Sequence, residues 1–193
     1  ARHAGTGKTV TVGGVTVDDG NGGNNYAVSY ASNTTSSIGQ AQLVISTSDV
    51  SKTYDGTTAA AGSAVVTGGT QLFGADSVSG GRFAYPDRNA GTGNTATVGG
   101  VTVDDGNGGN NYAVSYASNT NSSIGQAQLV STSSGVGKAY DGTTAATVNV
   151  QAATIAGVVA GDSVSISGAF GDKNAGANKT VGLSSTGADG GNY

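Results

Sequence analysis

Two carboxylate pairs are the only places in this sequence where acidic side chains stand side by side. They are Asp18-Asp19 and Asp104-Asp105, and each opens the same run, DDGNGGNN. A hard cation such as calcium wants several oxygen ligands. Asp18, Asp19 and Asn21, and again Asp104, Asp105 and Asn107, offer carboxylate and amide oxygens beside glycine carbonyls. The order is not that of an EF-hand, and the chain contains no Glu to close one. A polar hairpin loop is the leading reading, with calcium the weaker alternative and no other cofactor implied. His3 is the single histidine, Cys is absent, and no Ser sits in a G-x-S-x-G elbow. An Asp pair acting as general acid and base would need a concave, partly desolvated pocket. Short strands joined by Gly-rich loops do not point to one, so the chain is not expected to be an enzyme.

A second recurring constellation is Tyr54-Asp55-Gly56 and Tyr140-Asp141-Gly142, in KTYDGTTAA and KAYDGTTAA. Gly admits positive φ, and Asp bonds its own following backbone. The pair therefore reads as a structural turn, with Tyr packed against the domain. Thr9, Thr11 and Thr16 form T-x-T ladders that would suit a carbohydrate surface, but Thr is also a good strand residue. Sequons stand at Asn33-Thr34-Thr35, Asn121-Ser122-Ser123 and Asn178-Lys179-Thr180.

These residues are positioned by a repeat. Residues 4–43 and 90–129 are the same forty-residue block, differing only at Lys8/Asn94, Val10/Ala96 and Thr35/Asn121. The offset is 86 residues, and Tyr54 to Tyr140 repeats it. A period this long is one small domain per repeat rather than a solenoid coil. Residues 1–45 read as the C-terminal half of a repeat, 46–131 as a complete repeat, and 132–193 as the N-terminal two-thirds of another.

Gly accounts for 35 of 193 residues, Pro for one, and Val and Thr are plentiful while helix formers are scarce. That favours strands linked by Gly/Asn/Asp turns. Strands are expected at Lys8–Val12, from Val15–Val17, at Tyr26–Ala31, Ile38–Ser46, Ala61–Val66 and Asp76–Tyr85. Turns are expected at Gly13–Gly14, Asn33–Ser37 and Lys52–Thr58. In VSISGAF, Val164, Ile166 and Phe170 share one face and Ser163, Ser165 and Ser167 the other, as in a half-buried strand. The equivalent stretch from Asp76 to Asp87 is one residue longer and holds Gly80-Gly81, the signature of a β-bulge. Six to eight short strands per 86 residues predict an all-β chain of tandem, antiparallel β-sandwich repeats of immunoglobulin-like size. With only ten residues between Leu43 and Tyr54, the repeats should form a stiff rod or filament.

The net charge of −4 comes with eight dispersed Lys and Arg. That is no nucleic-acid footprint, and no apolar run is long enough to span a bilayer. Neighbouring copies or adjacent repeats are the expected partners. The residues missing from 132–193 match 27–45, so head-to-tail strand completion between chains is a further expectation.

KTYDGTTAA, then GDSVSISGAFGDKNAGANKTV and a closing ADGGNY, resembles the YDG repeat of long bacterial surface adhesins of the filamentous-haemagglutinin, two-partner-secretion type. The matching positions are Tyr54 to Thr58 and Tyr140 to Thr144, then Asp87 to Gly91 and Asp172 to Gly176, then Asn25-Tyr26, Asn111-Tyr112 and Asn192-Tyr193. Gly39 and Gly125 stand where the family often has Pro, and DDGNGGNN expands the usual short loop. The resemblance implies an extracellular, cell-surface structural or adhesive stalk, of the kind that serves cell adhesion and biofilms. The alternative is a module binding glycans or a host surface through its Asp/Asn/Gly-rich loops.

Overall fold

The computed structural model describes residues 2–132, 136–148 and 154–193. Among them the chain is all-β apart from one 3-10 turn, Gly190–Asn192. The first half runs through β1 (Gly5–Val10), β2 (Asn33–Ile38), β3 (Ala41–Thr47), β4 (Ser51–Thr53), β5 (Ala64–Gly69), β6 (Ser77–Ala84) and β7 (Gly91–Asp104). The second half runs through β8 (Tyr112–Tyr116), β9 (Asn119–Gly125), β10 (Val130–Thr132), β11 (Ala145–Ala146), β12 (Thr154–Ala156), β13 (Ser165–Phe170) and β14 (Val181–Thr186). Among the described residues no helix is long and apolar enough to cross a membrane.

The chain divides into two compact units. The first takes Ala1–Ser46, Ala64–Arg82 and Gly99–Ala117. It holds the β1-β2 sheet and the three-stranded sheet β5-β3-β8. Leu43 and Ile45 of β3 are fully buried, and Val103 and Tyr112 are buried in the same unit. Each such aliphatic side chain contributes about 1.5–3 kcal/mol on leaving water. The second unit takes Thr47–Ser63, Phe83–Val98 and Ser118–Tyr193. Its core is Val50, Tyr54, Tyr85, Ala96 and Ile124, with Ala60, Ala90, Ala127, Val159 and Tyr193 packed against it.

The expected alternation is clearest in β13, where Ile166, Gly168 and Phe170 are half-buried and Ser165, Ser167 and Ala169 exposed. Ser167 and Ser184 share a 2.9 Å hydrogen bond across to β14 on the exposed side. The extra residue at Gly80-Gly81 is also visible. Both glycines take positive φ inside β6, at 67° and 110°. Beyond them Tyr85 N–H donates to the Thr58 carbonyl as Phe170 N–H does to Thr144, so the ladder recovers its register after the insertion.

Several expectations are corrected. The sheets are not purely antiparallel: β3 pairs with β8 in parallel (Ala41↔Tyr112 to Ile45↔Tyr116), and β4 with β9 likewise (Ser51↔Ser123 to Thr53↔Gly125). Parallel neighbours need a long crossover, and most of a repeat lies between them. The expected Gly13–Gly14 turn and Val15–Val17 strand are not formed, residues 11–17 being neither turn nor strand; in the second copy the equivalent Gly99-Gly100 lies inside β7, with Gly100 at φ +66° as a local kink. Asn33–Ser37 is strand β2 rather than a turn; Asn33 Oδ1 accepts from Thr35 N–H at its start. Ile38–Ser46 is two strands, broken at Gly39-Gln40.

The duplicated block does not fold the same way twice. β1 and β2 pair with the register of β7 and β9: Gly5↔Ile38 and Gly91↔Ile124, Val10↔Asn33 and Ala96↔Asn119. Yet Tyr112 begins strand β8 and is 4% exposed, while Tyr26, in the same YAVSY, lies outside any strand and is 64% exposed. The second copy has β3 beside it to receive the ladder.

Candidate functional site

The Tyr-Asp-Gly turn follows β4 directly. Tyr54 N–H donates to the Gly125 carbonyl at 2.8 Å, extending the β4-β9 pairing by one residue. Asp55 Oδ1 then accepts from Thr57 N–H and Oγ1, both at 2.9 Å, and from Lys52 Nζ at 2.7 Å. Lys52 and the Thr57 bonds hold the Asp55 carboxyl at about 2. Gly56 sits at φ +77°, and a Cβ there would meet Val159 Cγ1 at 2.7 Å, so this position admits glycine on two counts. The second turn repeats the geometry: Lys138 Nζ to Asp141 Oδ1 at 2.8 Å, Thr143 N–H to Asp141 Oδ1 at 2.9 Å, and Gly142 at φ +77°. Tyr54, Asp55 and Gly56 thus share one hydrogen-bonded turn geometry with Tyr140, Asp141 and Gly142, but the Tyr that was expected to pack against the domain is 3% exposed at Tyr54 and 66% exposed at Tyr140.

The first of these turns delivers its tyrosine to a buried polar cluster in the second unit. The Tyr54 ring stands edge-on to Tyr193, with centroids 5.6 Å apart at 76°. Arg88 lies over the Tyr54 ring at 5.8 Å. Tyr54 Oη donates to Asp162 Oδ2 at 2.8 Å and Tyr193 Oη to the same oxygen at 2.7 Å. Arg88 Nη1 bonds Asp162 Oδ1 at 2.7 Å, and Arg88 Nη2 bonds Asp189 Oδ1 at 2.8 Å. The Asp162 side chain has no exposed surface. Asn192 Oδ1 accepts from Ala90 N–H at 2.8 Å, and Asp189 Oδ2 from Ser163 N–H at 2.9 Å.

Burial alone would push the Asp162 carboxyl up. Hydrogen bonds from Tyr193, Tyr54 and Arg88, and the Arg88 charge, outweigh it and hold the group below the usual carboxylate range. Burial, then the bond to Asp162, pushes Tyr54 up to about 12. A buried carboxylate with three donors and a facing guanidinium has both oxygens engaged. Its chemistry is that of a clamp. It joins Tyr54 and Arg88, in one repeat, to Asp162, Asp189, Asn192 and Tyr193 in the next.

The DDGNGGNN loops close on themselves. Asp19 Oδ1 accepts from Asn21 and Gly23 N–H, both at 2.8 Å, and Oδ2 from Asn25 N–H at 3.1 Å. Asp105 does the same with Asn107, Gly109 and Asn111 at 2.7, 2.8 and 2.8 Å. Bonds from Gly23 and Asn21 first hold Asp19 below its ordinary range. At Asp105 burial pulls upward and the bonds from Asn111, Gly109 and Asn107 prevail. Asn21 and Asn107 brace the loops through Asn25 and Asn111. Asp18 and Asp104 are exposed. Among the described residues no three His, Cys, Asp or Glu side chains converge as metal ligands.

The two loops share one sequence, but Asp105 is buried and Asp19 half-exposed. Removing an acceptor strands the loop's donors only where water cannot replace it. Asp105→Ala is therefore expected to lower the melting temperature by about 5 °C, and Asp19→Ala by less than half as much, in calorimetry of the two variants.

Sequence reasoning missed the clamp itself. Arg88, Asp162, Asp189 and Tyr193 lie far apart in the chain and carry no spacing rule. The available signal was scarcity: in a chain with 10% charged residues, Asp76 and Asp162 recur one period apart before Ser-Val-Ser, as do Arg2 and Arg88.

Comparison with known proteins gives one family. The YDG domain matches residues 39–121 and again 126–193. No curated protein and no solved structure matches the chain.

Proposed function

Since the chain belongs to the YDG domain family over most of its length, we propose that it is a structural segment of a bacterial extracellular fibre or adhesin stalk. Its repeats follow one another as a stiff array. It works outside the cell by spanning distance, and its partners are neighbouring repeats.

One observation carries this reading. A polar cluster around the fully buried Asp162 side chain, with Tyr54, Arg88 and Tyr193, joins residues of the first family match to residues of the second. Buried charge is costly unless every partner is in place. A chain that spends it where one repeat meets the next is built to hold that angle.

The test is electron microscopy of arrays with increasing numbers of covalently joined repeats. The expected result is a rod whose length grows by a constant increment per repeat, with antibody against the repeat labelling unpermeabilised cells. Flexible beads of variable spacing would overturn the reading.

A further inference from the structure

The strands at the start of the first family match and those at its end lie side by side and run the same way. In the first unit β3 pairs in parallel with β8, from Ala41↔Tyr112 to Ile45↔Tyr116. Ala41 N–H donates to the Asn111 carbonyl and Ala117 N–H to the Ile45 carbonyl, both at 2.9 Å. In the second unit β4 pairs in parallel with β9, from Ser51↔Ser123 to Thr53↔Gly125. Ser123 N–H donates to the Val50 carbonyl at 2.9 Å, and Tyr54 N–H to the Gly125 carbonyl at 2.8 Å. Side chains reinforce this second ladder. Asn119 Nδ2 donates to the Thr47 carbonyl at 3.0 Å and to Asp49 Oδ1 at 2.8 Å, and Val50 N–H donates to Ser122 Oγ at 3.2 Å. The buried Tyr85 hydroxyl lies 2.8 Å from the Val50 carbonyl and 3.0 Å from that of Ser123, touching both sides of the pair.

Direction decides how such a pair carries load. Suppose tension enters at the N-terminal end of one parallel strand and leaves at the C-terminal end of the other. The strands are then pulled past each other along their length, and every ladder bond is loaded at once. Tension that separates the same end of both strands loads the bonds one at a time. Chain order imposes the first case: β3 and β4 come first and β8 and β9 last, so a pull along the chain shears both ladders. Only Gln126 separates Gly125 from Ala127, the copy of Ala41, so tension leaving one ladder passes directly into the copy of the strand that begins it. Burial adds resistance. Leu43 and Ile45 are fully buried, and Thr47 and Val50 nearly so. Water therefore cannot take over the ladder bonds singly as they stretch.

We propose that the two parallel ladders are the mechanical lock of the repeat and keep it folded against tension applied along the chain. This rests on the reading of the chain as a stalk and gives that stalk its load-bearing element. Residues 55–110 lie between the locked strands in sequence and are bypassed by the load. Tyr85 is a positioning residue of the lock, its hydroxyl fastening the second ladder.

The test pulls the whole chain in an optical trap through pairs of introduced cysteines, since the chain has none of its own. Gly39→Cys with Gly125→Cys puts the handles at opposite ends of the ladders and shears them. A Cβ at Gly39 meets nothing within 4 Å, and one at Gly125 makes ordinary contact with the Lys52 carbonyl at 3.8 Å. Gly39→Cys with Asn110→Cys, both exposed, puts the handles at one end and peels β3 from β8. The two geometries release nearly the same length, about 250 Å of extended chain, so direction is the variable. At equal loading rate the shearing pair is expected to unfold at a force at least about twice that of the peeling pair, forced unfolding being governed by its barrier. Tyr85→Phe is expected to lower the shearing force and leave the peeling force unchanged. A force independent of direction, a stronger peeling pair, or a shearing force indifferent to Tyr85→Phe would each overturn the lock. If covalent arrays are nonetheless rods, the stalk stands without it. Arrays that are not rods would sink the stalk, and with it any load for the lock to bear.

Discussion

Tyr54→Ala will destabilise the second unit by about 3–5 kcal/mol, the usual cost of emptying a large aromatic site in a core. The same change at Tyr140 will move stability by no more than about 0.5 kcal/mol. The motif around the two residues is the same; the difference is burial, 3% exposed against 66%. Tyr54 loses its edge contact with Tyr193 and its place under Arg88, and Asp162 loses a donor it cannot replace with water. Tyr54→Phe isolates the hydroxyl and should cost about 1–2 kcal/mol, since the lost bond is to a charged acceptor. Urea unfolding of the four proteins, read at constant m-value, separates these cases. Equal losses at Tyr54 and Tyr140 would refute the clamp.

Arg88→Met will produce the other large effect, and it will depend on pH. Methionine fills space but leaves Asp162 buried without its cation, and breaking a buried pair from one side is severe. The melting temperature should fall by roughly 10 °C at neutral pH. In the wild type the Asp162 carboxyl is held below its unfolded value. Its contribution is therefore fully present above that unfolded value, near 4, and is lost as pH falls through the lower folded value. In Arg88→Met the buried carboxylate keeps its tyrosine donors but loses the guanidinium bond and the facing charge, so it takes up a proton at higher pH than in the wild type. The gap between wild type and variant should therefore narrow as pH falls. Asp162→Asn on the Arg88→Met background should recover part of the loss at neutral pH and remove most of this pH dependence. A gap that is constant with pH would show that Arg88 acts only by packing.

The fold was legible wherever its cause is local. The alternation in β13 follows from the two-residue period of a strand. The Lys52–Thr57 turn follows from what Asp and Gly do to their own backbone. The bulge in β6 follows from one surplus residue at a glycine pair. Each is decided within a few residues, and each is visible in the coordinates. The errors are of another kind. Gly13-Gly14 looks like a turn by composition, but its copy Gly99-Gly100 lies within β7, which continues through it with a kink at Gly100. Asn33–Ser37 looks like a loop, but β1 recruits it into a ladder.

The sequence by itself determined that the chain is β-rich, that it repeats with a period of 86 residues, and that each repeat opens on a Tyr-Asp-Gly turn. Tertiary structure alone decided which copy of an identical segment is a strand. YAVSY is β8 at Tyr112–Tyr116, where β3 lies beside it, and is no strand at Tyr26–Tyr30. It likewise placed Tyr54, 3% exposed, in a clamp, while Tyr140 is 66% exposed. The reason is that backbone pairing and charge burial are properties of two segments at once. A sequence read along one segment specifies what each can accept, and only the packed chain supplies the partner.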